Sequence, residues 1–159
     1  MDASRWIAIL ESSALAEWMR GPGMAYAAVN LVHLLGLTLL LGSMLLLDLR
    51  LLGLGRKLSL PEVSRLLTPV ALIGLLLQAG SGFALLAADA GPLFLNTAFR
   101  LKLALIAAAL VNAVLFRWLW SGALTDWDRA APVAGRLQAA LSMLLWLGVA
   151  AAGRLIAYT

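Results

Sequence analysis

The sequence predicts an all-α protein, an integral membrane four-helix bundle preceded by an N-terminal interfacial amphipathic helix. Two observations predict it. Of 159 residues 63% are hydrophobic and only 13% charged, and the charges flank long runs that carry none. Soluble domains average about 45–50% apolar and about 25% charged residues. A water-soluble chain of this length could not hide the excess, because too little of it becomes interior. Lipid is therefore the expected solvent. Residues 1–20 are assigned to the interfacial helix and 21–159 to the bundle, with spans near 23–48, 64–88, 96–119 and 133–156.

In the first segment Trp6, Ile7, Leu10, Ala14 and Trp18 recur at helical spacing, with Glu11, Ser12 and Glu17 off that stripe. Two tryptophans on a short amphipathic helix suit the membrane–water interface. Asp2, Glu11 and Glu17 interrupt the region where a cleavable signal needs its apolar core, so none is expected. Gly21-Pro22-Gly23 then turns the chain into the bilayer.

No charge occurs between Arg20 and Asp48, a gap of 27 residues, and about 20 suffice to cross. Asp48-Leu49-Arg50 and the basic Arg56-Lys57 close this first span. Ser59-Leu60-Pro61-Glu62 has the order of a helix start: serine cap, proline in the first turn, glutamate three residues after the cap. The second span is charge-free for 23 residues between Arg65 and Asp89, with Pro69 as a potential kink. The third has only 14 uncharged residues, Leu103 to Phe116, and must include Lys102 and Arg100 with their stems along the helix and their heads at the interface. Trp118 and Trp120 mark its far end as an aromatic belt. Ser121 to Pro132 is the longest polar loop, and the fourth span runs between Arg136 and Arg154.

Small residues are expected where helices touch, namely Gly36, Gly42, Gly74, Gly80, Ala104, Ala108, Gly148 and Ala152. The side holding loops one and three carries Arg50, Arg56, Lys57, Arg65, Arg117, Arg129 and Arg136; the other carries Arg5, Arg20, Arg100, Lys102 and Arg154. Positive charge favours the cytoplasmic side, so both termini are expected to be periplasmic, in a bacterial inner membrane.

The absence of cysteine excludes disulfides, thiolate metal sites, iron–sulfur clusters and covalent haem attachment, and the single histidine excludes a multi-histidine site within one chain. The basic residues border apolar runs instead of forming a patch, so no nucleic-acid partner is expected. Membrane lipid is the expected partner, with a homo-oligomer or a larger membrane complex.

His33 is the first candidate. Tyr26, Asn30, His33, Leu37, Met44 and Asp48 share one helical face, whose polar members should point into the bundle. An ionisable residue in a span suggests function; the alternative is a neutral histidine bonded to a neighbouring helix. Gln78 lies at a similar level in the second span, Arg100 and Lys102 enter the third from the same side, and Arg154 closes the fourth. With Asn30 these form a candidate cofactor layer. Imidazole would bind the iron of haem b, and the cations its propionates. Taken singly, each cation is also an ordinary anchor to lipid phosphate.

Val32-His33-Leu34-Leu35-Gly36, Leu41-Gly42 and Asp48-Leu49-Arg50-Leu51-Leu52-Gly53 resemble the first helix of small bacterial four-span proteins, and more distantly the copper-resistance D-type and cytochrome b-type membrane families. The resemblance implies a haem b or copper role with His33 as metal ligand. Such cytochromes use pairs of histidines, which this chain lacks, so haem would take His33 alone, His33 with a group such as methionine, or two His33 from a homodimer. Five scattered methionines offer copper no soft cluster.

Asp48, acidic at the cytoplasmic end of the first span, is expected to pair with Arg50, Arg117 or Arg136; the alternative is a proton acceptor. Asn112 and Gln138 are the strong polar groups deep in spans three and four. No nucleophile–base arrangement or nucleotide-binding loop supplies enzyme chemistry. Three readings follow in order: a non-catalytic membrane subunit of a larger complex, with or without a cofactor; a haem-binding electron-transfer protein; a small oligomeric transporter.

Overall fold

A computed structural model describes residues 3–158; Met1, Asp2 and Thr159, and with them the first two residues of the expected interfacial helix, lie outside the described residues. The helices are α1 (Ala3–Glu11), α2 (Ala14–Arg20), α3 (Ala25–Leu51), α4 (Leu60–Ala88), α5 (Ala90–Leu95), α6 (Thr97–Trp120), α7 (Trp127–Ala130) and α8 (Val133–Leu155), with single 3-10 turns after α6 and α8. α3, α4, α6 and α8 are long and apolar enough to cross a membrane. The protein is an integral membrane helical bundle.

The interfacial segment is two helices. Ser13 ends one and starts the other: its hydroxyl donates to Leu10 O at 2.6 Å and accepts from Ala16 N at 3.2 Å. The face packed on the bundle is not the tryptophan stripe. Ala16 and Met19 are buried, Met19 against Ala84 and Ala88 of α4, and Trp6 and Trp18 are exposed. Two charged residues, Arg20 and Glu11, staple the segment down. Arg20 donates to Ala88 O (3.1 Å), an unsatisfied carbonyl at the end of α4, and Glu11 accepts from Gly91 N (2.7 Å).

α3 and α4 form the most extensive helix pair. They meet at Gly36 and Gly74, where a Cβ on Gly74 would lie 2.5 Å from Leu40 N. Gly148 and Ala152 also face neighbours, but Gly42 and Gly80 have nothing within 4 Å, and Ala104 and Ala108 are exposed while Ala109 is buried. The α3–α4 turn uses Gly53 and Gly55 at φ of 108° and 66°, values that favour glycine. Pro69 lies inside α4 without ending it. Ser59 holds the N-cap position, yet its hydroxyl makes no cap bond.

α3 packs on α4 and α8, and α6 packs on α8; α4 and α6 scarcely touch. The bundle is thus open along one seam, closed at the loop end by Arg117 Nη1 donating to Ser64 Oγ at 3.0 Å. Asn112 and Gln138 pin α6 to α8. Each side-chain amide donates to the other residue's carbonyl (3.2 and 3.3 Å), and Trp120 Nε1 donates to Gln138 Oε1 at 2.8 Å, so Trp120 turns inward while Trp118 stays exposed.

The Ser121–Pro132 segment is more than a polar loop. It folds back over the bundle and buries Trp127 against Leu51, Leu60 and Ala139. Beside it Arg50 grips Asp128 through two parallel bonds of 2.9 and 2.6 Å while donating to Leu58 O. These bonds, with the charges of Arg50, Arg56 and Arg136, hold the Asp128 carboxyl below its ordinary value. A carboxyl depressed in the folded state adds stability above its unfolded pKa of about 3.9, and that stability is lost as pH falls through the folded value. Thermal unfolding in detergent should therefore show a midpoint that drops below about pH 4. Asp128→Asn should lower the neutral-pH midpoint and flatten that acid limb; an unaltered limb would show that the clamp contributes nothing.

Candidate functional site

The candidate site lies at the end of the bundle that holds both termini. A cavity of about 740 Å³ opens there between α3, α4, the α4–α6 connection, α6 and α8, with Tyr26, Asn30, His33, Asp89, Phe99 and Lys102 among its walls. This volume lies in the range that ligand pockets occupy, about 300–1,000 Å³.

His33 is oriented by two contacts. Gln78 Nε2 donates to His33 O at 2.6 Å, bracing the backbone. His33 Nδ1 lies 2.8 Å from Ser81 Oγ, and Ser81 gives its only proton to Leu77 O at 2.5 Å. The serine oxygen can then only accept, so the proton of the neutral ring sits on Nδ1 and the lone pair on Nε2. Nε2 makes no hydrogen bond among the described residues and is the polar atom His33 has left for an occupant of the cavity. Gly82 keeps space open beside the ring, since a Cβ there would stand 3.2 Å from His33 Cε1. Lys102 lays its stem over Gly153, with Nζ 3.4 Å from the place of a Cβ on that glycine.

Of the six predicted site residues, Asn30, His33 and Lys102 share the cavity. Gln78 sits one turn too deep, against the His33 carbonyl. Arg100 is two residues from Lys102, hence some 200° around the helix; it is exposed and bonds Thr97 Oγ1 at 3.4 Å. Arg154 lies against Tyr158, 5.0 Å from the ring centroid, with Nη2 donating to its hydroxyl at 2.6 Å. The candidate layer therefore contains one basic side chain from this set, not three. Tyr26 and Asn30 are exposed to the cavity mouth instead of pointing into the bundle.

Sequence reasoning missed Ser81 and Asp89. Ser81 had a usable signal, a hydroxyl three residues after Gln78 and so on the same helical face. Asp89 did not: it reads as the charge that ends a span, and its place in the cavity wall depends on how the chain turns through α5. Among the described residues no group of three or more His, Cys, Asp or Glu could hold a metal ion. A metal held by His33 would therefore find at most one further His, Cys, Asp or Glu ligand among the described residues.

The expected pairing of Asp48 does not occur. Arg50 is committed to Asp128 and Arg117 to Ser64, and Asp48, 3% exposed, makes no ion pair among the described residues. The reason is the folded Ser121–Pro132 segment, which supplies Arg50 with another carboxylate.

No curated protein and no solved structure matches the chain. A family profile described as a family of unknown function, DUF6644, matches residues 6–159, and the chain belongs to that family.

Proposed function

We propose that this protein is a non-catalytic integral membrane subunit that carries haem b at its terminal end, with His33 as axial ligand. The observation that carries the reading is the imidazole itself. Its Nδ1 proton is tied to Ser81, which leaves Nε2 for a ligand, and the residue lines one cavity with Lys102. Histidines that bind metals characteristically donate the other ring N–H to a fixed acceptor, which sets tautomer and orientation. A porphyrin supplies four of the ligands that the chain lacks, Lys102 offers a cation to a propionate, and Phe99 and Tyr26 offer aromatic surface. Any further ligand to the iron would come from a group such as His33 of a second copy or a subunit of a larger complex. The modest excess of basic residues at the opposite end supports a periplasmic position for this site in a bacterial inner membrane.

Absorption spectroscopy of the detergent-purified protein, before and after titration with hemin, tests the proposal. A Soret band is expected in the wild type and lost in His33→Ala. Ser81→Ala should weaken haem affinity about 10–100-fold while leaving the protein folded. A monodisperse wild-type protein that stays colourless and gives no saturable Soret shift with hemin would sink the reading.

A further inference from the structure

We infer that the open seam between α4 and α6 is a binding site for a lipid-soluble molecule with a hydroxyl head, such as an alkylphenol. The seam encloses about 490 Å³ in the loop half of the bundle, away from the His33 cavity. Its mouth is flanked by Leu72 of α4 and Val114 of α6, both facing lipid, and most of its wall is apolar. At its base stand Asp48, Ser142 and Trp146, which are 3%, 4% and 3% exposed. Asp48 Oδ2, Ser142 Oγ and Trp146 Nε1 are buried and have no hydrogen-bond partner among the described residues. Ser142 stands beside Asp48, but not in bonding geometry.

Three orphaned polar atoms at the base of one apolar cleft are costly unless something satisfies them, since each forfeits its bonds to water on burial. Among the other polar groups in the wall, Asn112 and Gln138 clamp each other and Arg117 holds Ser64, and Thr68 stands in the α4 wall. The orphans comprise a carboxyl oxygen, an indole N–H that only donates, and a hydroxyl that does both. One hydroxyl group is their complement. It donates to Asp48 Oδ2 and accepts from Trp146 Nε1 or Ser142 Oγ, while its apolar body lies against Leu40, Met44, Leu75 and Leu110. α4 and α6 scarcely touch along this seam, so a hydrophobic molecule reaches the base sideways from the bilayer without crossing water.

The test compares 4-hexylphenol with its methyl ether, 4-hexylanisole, and with octylamine, on protein in phosphatidylcholine nanodiscs, reading the thermal midpoint against probe concentration. The phenol should raise the midpoint saturably and the ether should not, because the ether cannot donate to Asp48. Asp48→Asn should weaken the phenol about 10-fold, the loss of roughly one hydrogen bond. Leu72→Trp should block access. Ser142→Ala replaces Asp48→Asn if the latter does not fold. Equal effects of phenol and ether, no effect of either, or a larger effect of octylamine would overturn the inference, the last in favour of a cationic occupant.

Discussion

Gly74→Leu is expected to prevent assembly of the bundle, and Gly74→Ala to weaken it measurably. A Cβ at this position would stand 2.5 Å from Leu40 N, 2.9 Å from Gly36 O and 3.0 Å from Leu40 Cα. All three are backbone atoms of α3, so no side-chain rotation relieves the clash, and the two helices must separate. In water a partly opened interface would still be held by the hydrophobic effect. In lipid that force is missing, and close packing is what holds helices together. Separation would also break the Gln78 and Ser81 contacts that orient His33, which cross this same interface. Overpacking a tight contact typically costs about 1–3 kcal/mol, more when backbone has to move. Gly74→Ala should therefore lose about 1–3 kcal/mol of helical stability in SDS titration followed by circular dichroism. Gly42→Ala and Gly80→Ala, with nothing within 4 Å of the added carbon, should be near neutral. Equal stability of Gly74→Ala and Gly42→Ala would refute the close crossing.

The glycines also show how far the sequence could be read. Composition and charge-free runs locate the spanning helices to within a few residues, because lipid demands length and apolarity and little else. Which faces meet is a separate matter. Gly36, Gly42, Gly74 and Gly80 look alike in the sequence, and only the relative rotation of α3 and α4 decides that the first and third of them touch. A spanning helix apolar on all sides carries no stripe to announce that rotation. The same gap explains the candidate site. His33, Asn30 and Lys102 are legible as polar residues at one depth, but depth does not fix azimuth, and so Arg100 and Arg154 fall outside the cavity wall that these three share. The sequence does not show that Asp48 stays without Arg50, because the better partner of Arg50 lies 78 residues away, in a segment with the composition of a loop.

That segment carries the other large effect. Trp127→Ala is expected to destabilise the protein by about 3–5 kcal/mol, the usual loss when a buried tryptophan is truncated. The residue is 1% exposed and is among the largest fully buried side chains. Its ring lies 5.7 Å from that of Phe116, and its Nε1 donates to Leu51 O at 2.9 Å, satisfying a carbonyl at the end of α3 that no further helical turn can reach. Gly135 at the start of α8 exists in the structure as the seat of this ring, for a Cβ there would stand 2.5 Å from the Trp127 Cη2. Trp127→Phe keeps the apolar contact and loses the N–H, so its cost should be nearer 1 kcal/mol, plus that of the smaller ring. Gly135→Ala should destabilise the wild type by displacing the indole, yet cost little in a Trp127→Ala background where the ring is gone. Such non-additivity marks two residues in direct contact. Chemical or SDS unfolding of the four variants measures it. Additive losses would mean that Trp127 does not rest on Gly135, and the folded cap over the loop end would have to be abandoned with it. A confirmed coupling would establish that this end is closed by its own connection, in contrast to the α4–α6 seam and the terminal cavity, where the bundle lies open.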